Sequence, residues 1–180
     1  LEAQREAAGC RDPIKYIGLS ATIAEPEKVF ELVTGRIPTV LSKSYAKTPN
    51  RTIIAAYRKK ADDEFEITVK LIEEGYSGFV FIDNRAKCEE MAERINLHFE
   101  KDVAGYYHSS MNRGHQRATA DKFRDGSIKV VVTTSSLEAG VNYPGACQFV
   151  VVDCGENIDP SSLAQRAGRA GRDGSDALLY

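Results

Sequence analysis

Six short apolar runs punctuate the chain, at residues 15–21, 51–57, 78–82, 103–107, 128–133 and 147–152, and most of the intervals between them carry helix signals. Runs this short fit strands better than helices, and a near-continuous one such as Lys129-Val130-Val131-Val132 fits a strand covered on both faces. Strands that alternate with helices join in parallel through crossover connections. The expected fold is therefore α/β, a three-layer domain with a mostly parallel sheet and helices on both faces.

The helix punctuation is local and specific. Pro26 in a first turn and Gly35 beyond the end bracket a short helix, and Asp62 or Asp63 can cap another that stops at Gly75. Asn84 can cap a third, whose Cys88, Met91, Ala92, Ile95 and Phe99 fall on one face at helical spacing. A fourth runs from about Asn112 to Gly126, and residues 176–180 look like the start of a further strand. Residues 1–45 fit the alternation less well, with one strand, one helix and a polar connection over 42–50 that reads as a linker. We expect residues 1–45 to belong to a neighbouring domain and 46–180 to form a domain of their own. The chain opens on Leu1 and closes in a strand-like run, and it reads as a piece of a longer protein.

Composition bounds the function. A chain of 180 residues that is 42% hydrophobic and 28% charged can bury a domain-sized core. Its net charge of -2 and pI near 6.0 mean that a nucleic-acid surface has to be a local patch. No stretch is apolar enough to span a membrane, and no signal peptide opens the chain. Cys10, Cys88, Cys147 and Cys154 show no CxxC pair or zinc-type His spacing. They read as reduced thiols of a cytoplasmic or nuclear protein, with no metal site of their own.

The chemistry concentrates near the C-terminus, in Gln165-Arg166-Ala167-Gly168-Arg169-Ala170-Gly171-Arg172. On a helix, residues three apart are neighbours, so Arg166, Arg169 and Arg172 are expected to form a cationic stripe that Gly168 and Gly171 leave open to close approach. Permanently charged, fork-shaped guanidinium groups suit a polyphosphate. In doubly wound domains ligands sit at the carboxyl ends of strands. There lie Ser20-Ala21-Thr22, Asp83-Asn84-Arg85, His108-Ser109-Ser110 and Thr133-Thr134-Ser135-Ser136. Hydroxyls and helix N-termini at such positions can receive phosphates without sequence preference. The same residue types also cap helices, and His108 beside Tyr107 also fits a hydrogen-bonded structural histidine.

Taken in order, these residues resemble a family. Ser20-Ala21-Thr22 is similar to motif III of superfamily 2 helicases, the segment from Thr133 through Leu137-Glu138-Ala139-Gly140-Val141-Asn142 resembles motif V, and the arginine segment resembles motif VI. Gly18-Leu19-Ser20-Ala21-Thr22-Ile23, Gly140-Val141-Asn142-Tyr143-Pro144 and the QRAGRAGR form look most like the superkiller-type RNA and DNA helicases, while Arg172-Asp173-Gly174 is also similar to RecQ-type enzymes. The resemblance implies a second RecA-like domain preceded by the tail of a first.

It further implies that Arg169 and Arg172 are arginine fingers toward ATP bound on the other domain, with Gln165 contacting the nucleotide or its water. Gly140, Asn142 and Arg166 would lie on the nucleotide side of the cleft. Asn84, Arg85, His108, Ser109, Thr133 and Thr134 would meet the backbone of single-stranded or partly duplex RNA or DNA. Ser20, Ala21 and Thr22 would couple nucleotide state to strand position. Charge alone suggests Glu138 as a partner for Arg166. The chain departs from a complete motor in lacking a GxxxxGK[ST] phosphate loop and an Asp-Glu box for magnesium, so ATP and Mg would be held mainly by the first RecA-like domain of the same parent chain. Alone it should be inactive. The segment 143–163 is also short for a strand-separating hairpin. The alternative from another class is a non-catalytic nucleic-acid-binding adaptor with a RecA-like fold.

Overall fold

The computed structural model describes residues 2–9, 15–20, 23–41, 50–54, 63–137, 147–153 and 158–180. The chain divides into two compact units, Leu1–Tyr45 and Ala46–Tyr180, and each is described by itself.

The first unit contains helix α1, Glu2–Ala7, and helix α2, Pro26–Thr34. Pro26 starts α2 where a missing N–H costs nothing. Gly35 ends it at φ 68, its N–H donating to Glu31 O. The strand expected over residues 15–21 does not form across 15–20. Ile17 and Leu19 stand 84% and 93% exposed, and no strand of this unit among the described residues is there to pair with them. An apolar run becomes a strand only when a neighbour takes up its backbone hydrogen bonds.

The second unit holds strands β1, Arg51–Ile53, β2, Gly78–Phe81, β3, Ala104–Tyr107, β4, Val130–Thr133, β5, Phe149–Val152, and β6, Ala177–Leu179. They form one sheet in the order β1-β6-β5-β2-β4-β3, and every pair is parallel. Among its described residues the helices are α3, Asp63–Glu73, α4, Arg85–Phe99, α5, Arg113–Arg124, and α6, Pro160–Ala167, with a 3₁₀ turn at Ser135–Leu137. Helices α4, α5 and α6 each have a side-chain cap in the residue before them. Asn84 Oδ1 accepts from Lys87 N–H at 3.0 Å, Asn112 Oδ1 from His115 N–H at 2.9 Å, and Asp159 Oδ2 from Ser162 N–H at 3.0 Å. The chain's Asp-Glu pair, Asp63-Glu64, opens α3.

Alternation along the buried strands builds two cores. Val80, Val130, Val132, Phe149 and Val151 meet Leu71 and Ile72 of α3 and Cys88, Met91, Ala92 and Ile95 of α4. Phe79, Phe81, Val131 and Val150 face the other side with Phe123 of α5, Leu137 and Ala170. Phe79 stacks on Phe123, ring centroids 5.2 Å apart. Because both faces are covered, the central strands carry no polar residue but Thr133 at the end of β4, which is why they read as unbroken runs.

Candidate functional site

Strand register sets the site. Phe81 lies opposite Thr133 in the β2–β4 pair, and Tyr107 lies opposite Thr133 in the β3–β4 pair. Three adjacent parallel strands therefore end level, and the loops beginning at Ile82, His108 and Thr134 leave the same carboxyl edge of the sheet.

In the first loop Asp83, Asn84 and Arg85 are exposed. Asn84 caps α4, and Arg85 Nη2 reaches Ser109 Oγ at 3.5 Å. In the second loop His108 is 4% exposed and held from every side. Its Nε2 lies 2.9 Å from Glu89 Oε1 of α4, its Nδ1 lies 2.9 Å from Ser110 Oγ, and its ring stacks on Tyr106. An ionised carboxylate only accepts, so Nε2 carries the proton toward Glu89, and in the neutral ring Nδ1 accepts from Ser110. A ring held in this way fits the structural alternative in the sequence reading, and Ser109 is exposed at the loop surface. Ahead of the third loop, at the end of β4, Thr133 is fully buried, and its hydroxyl lies 2.8 Å from Tyr107 O and 3.1 Å from Thr134 O, to which it donates. Thr134 Oγ1 pairs with Ser136 Oγ at 2.8 Å, and both are half-buried beside exposed Ser135.

The arginine segment departs from the expected helical stripe. Helix α6 ends at Ala167. Arg169 and Ala170 N–H groups then bond to Arg166 O and Ala167 O at i→i+3, and Gly171, at φ 68, turns the chain so that its N–H donates to Cys147 O at 2.8 Å. Two glycines in six residues lower helix propensity, and Gly171 supplies the left-handed conformation that ends the run. The three arginines consequently have different surroundings. Arg166 and Arg169 are each 3% exposed, whereas Arg172 is exposed, its Nε donating to Gly168 O at 3.1 Å. Burial, and then the like charge of Arg172, hold the Arg169 guanidinium below its ordinary pKa, though an arginine stays cationic at physiological pH.

Arg166 joins this segment to the first loop. Its Nη2 donates to both oxygens of Asp83, at 2.9 and 2.8 Å, and its guanidinium carbon lies 5.3 Å from the centroid of the Phe81 ring. The sequence reading weighed Glu138 for this partnership; Glu138 lies outside the described residues, as do Ala21, Thr22, Gly140 and Asn142. Gln165 is half-buried on α6, and Ser20 is exposed in the other unit. Sequence reasoning missed Asp83, Glu89 and Phe81 as structural partners of the site. The available signal for Asp83 was a carboxylate directly after a buried strand and directly before a helix cap; nothing local pointed to an arginine 83 residues away.

The thiols of Cys88 and Cys147 are buried. Burial, followed by the charge of Asp83, pushes Cys88 up to about 12, and burial first of all, against two backbone hydrogen bonds, pushes Cys147 up to about 12. Both are free cysteines. Among the described residues no three His, Cys, Asp or Glu side chains are grouped to hold a metal ion, and no helix is long and apolar enough to cross a membrane.

Residues 40–174 match the family described as the helicase conserved C-terminal domain. The chain is 26% identical over 201 residues to the Lhr helicase/probable uracil glycosylase of Mycolicibacterium smegmatis, with 88% of this chain and 13% of that protein covered. It is 31% identical over 166 residues to the ATP-dependent helicase Lhr-Core of Methanocaldococcus jannaschii, with 86% and 19% covered. The chain thus spans under a fifth of the length of these two relatives. Among solved structures it is similar to Mycobacterium smegmatis helicase Lhr bound to ssDNA and AMP-PNP, with a TM-score of 0.71 and 28% identity, covering 90% of this chain and 23% of that one. With its parallel sheet, its loops gathered on one edge and this match, the chain belongs to the helicase conserved C-terminal domain family, the RecA-like domain of superfamily 2 helicases.

Proposed function

We propose that this chain supplies the second RecA-like half of an ATP-dependent helicase or translocase acting on single-stranded or partly duplex RNA or DNA. The observation that carries the reading is the convergence of the arginine segment on the loop edge, through Arg166 bonded to Asp83. Arg166 and the short polar loops meet at the carboxyl end of the sheet, and the turn bearing Arg169 and Arg172 continues from Arg166, so one domain presents groups suited to phosphates from two sources. The Lhr neighbour, bound to ssDNA and AMP-PNP, supports both kinds of ligand.

The roles divide by exposure. Arg85, Ser109 and Thr134, with the Asn84-capped start of α4, contact the nucleic-acid backbone; His108 and Thr133 hold the loops that carry them. Backbone contacts are indifferent to sequence, as a motor moving along a strand requires. Arg172, and Arg169 behind it, act as arginine fingers toward ATP, Gln165 supports them, and Gly140, Asn142 and Arg166 complete the nucleotide side. Hydrolysis of ATP supplies the free energy for movement, while this chain's arginines stabilise developing phosphate charge. ATP and Mg belong mainly to a first RecA-like domain, because the chain has neither a GxxxxGK[ST] loop nor a described acidic cluster for the ion. Residues 1–45 are the end of that first domain, a reading supported by the bare Ile17, Leu19 and Leu32, at 84%, 93% and 87% exposure. Ser20, Ala21 and Thr22 then couple the two halves. The free, buried Cys88 and Cys147 fit a reducing cytoplasmic or nuclear setting.

The test is nucleic-acid-stimulated ATP hydrolysis by the full-length protein, beside this chain alone and beside the Arg169→Ala and Arg172→Ala variants of the full-length protein. Stimulated turnover in the wild type, absent from the isolated chain and reduced on the order of 10³-fold in each variant, is expected. Variants as active as wild type would sink the finger assignment. A folded wild type with no turnover would favour the adaptor.

A further inference from the structure

Asp83 stands beside Asn84 and Arg85 at the end of β2 and has been given no role so far, yet both its carboxylate oxygens accept from Arg166. Its side chain is 54% exposed, whereas that of Arg166 is 3% exposed. The cation is therefore the desolvated member of the pair, seated between the Phe81 ring and the two Asp83 oxygens. A buried guanidinium is tolerated only where charge and hydrogen bonds compensate it, so removing the carboxylate withdraws two charge-assisted hydrogen bonds from Arg166 and loosens its seat.

Movement of Arg166 has two destinations. Its carbonyl accepts the Arg169 N–H at 3.0 Å, so the turn that carries Arg169 and Arg172 is built directly on it. On the other side Asp83 is followed at once by Asn84, the α4 cap, and by Arg85, which reaches Ser109. The loop ahead of α4 thus touches Arg166 through Asp83, and the first turns of α4 touch the His108 loop through Arg85 and Glu89.

We infer that Asp83 is a positioning residue: through Arg166 it fixes the arginine turn relative to the Asn84-Arg85 loop, so that engagement of nucleic acid at the loop is transmitted to the arginines. The inference rests on the motor reading and adds to it the group that links its two ligand sites. The link is a contiguous chain of one ion pair, one backbone hydrogen bond and one shared loop, and its coupling is measurable.

The test uses the full-length protein and a single-stranded oligonucleotide. ATP hydrolysis is followed against oligonucleotide concentration for wild type, Asp83→Asn, Asp83→Glu, Arg166→Lys and the Asp83→Asn, Arg166→Lys double variant, with a thermal melt and nucleotide-free oligonucleotide affinity for each. Asp83→Asn keeps the shape and loses the charge. It is expected to lower kcat at saturating oligonucleotide about tenfold, within the range of such couplings. Oligonucleotide affinity and KM for ATP should stay within about twofold. Asp83→Glu should recover most of the rate, and the double variant should lose no more than Arg166→Lys alone, as expected of residues acting as a unit. An unchanged kcat in Asp83→Asn overturns the inference. So does a loss confined to oligonucleotide affinity, which would make Asp83 a contact residue. Equal losses in Asp83→Asn and Asp83→Glu with a lowered melt would leave only a structural role, and fully additive losses in the double variant would separate Asp83 from Arg166; either overturns it. No stimulated turnover in the wild type refutes the motor reading itself and this inference with it, whereas normal wild-type turnover beside an unaffected Asp83→Asn refutes Asp83 alone.

Discussion

Thr133→Val separates the two things a threonine can do at the end of a parallel strand. The side chain is fully buried, and its hydroxyl donates to Tyr107 O at 2.8 Å across the β3–β4 pair and to Thr134 O at 3.1 Å. Valine fills the same volume but removes the donor. The lost hydrogen bond is worth about 1 kcal/mol net, and leaving a buried carbonyl without its donor adds about 1.3 kcal/mol. The added methyl returns about 0.8 kcal/mol of burial, leaving a net destabilisation of about 1.5 kcal/mol. For a chain of this size that is a fall in melting temperature of about 3–6 °C, readable by circular dichroism on this chain. If Thr133 acts only by holding the loop, oligonucleotide affinity of the full-length protein, by fluorescence anisotropy below the melt, should stay within about twofold. Thr134→Ala should show the opposite pattern, with stability nearly unchanged and affinity down about tenfold, the loss of one hydrogen bond to a charged phosphate. A Thr133→Val variant that melts with the wild type yet binds ten times more weakly would refute the reasoning.

Two further outcomes follow from the core. At Gly78, opposite Phe149 in the β2–β5 pair, an added Cβ would lie 2.1 Å from Phe149 O and 2.7 Å from its Cγ, a clash with backbone that no rotamer relieves. Gly78→Ala should cost about 3 kcal/mol in urea unfolding, and a cost below about 1 kcal/mol would show that the strands are less tightly apposed. The Cys88 and Cys147 thiols stand at about 12 in the folded chain against an ordinary 9.0. Because the raised value belongs to the folded state, their contribution to stability is complete below the ordinary value and is lost as pH rises through the window between the two. Both should resist iodoacetamide in the native state at pH 8 and react on unfolding, as read by peptide mass mapping; rapid native labelling of either would contradict its burial.

How much was legible depended on how far each decision reached along the chain. The Asn84 and Asn112 caps, and the Pro26 start and Gly35 end of α2, lie within four residues of the groups they satisfy, and local chemistry settles such matters. The valine run at 130–132 was legible because burial on both faces removes polar residues from every position. The run at 15–20 carries a similar pattern and forms no strand, since pairing is a property of neighbours and not of the run. The arginine spacing pointed to phosphate chemistry but not to its geometry. A three-residue repeat describes a helical stripe only while the helix lasts, and this one stops at Ala167.

By itself, the sequence determined the alternation of strands and helices, the capped ends of α4 and α5, and the helicase motifs that place the chain in its family, because these rest on residue type and short spacing. Only the tertiary structure decided the strand order β1-β6-β5-β2-β4-β3, the burial of Thr133 and His108 behind their loops, and the choice of Asp83 as a partner for Arg166. Charge falls off with distance in space and has no memory of distance along the chain. Which carboxylate meets a given arginine is therefore settled when the strands find their register and not before.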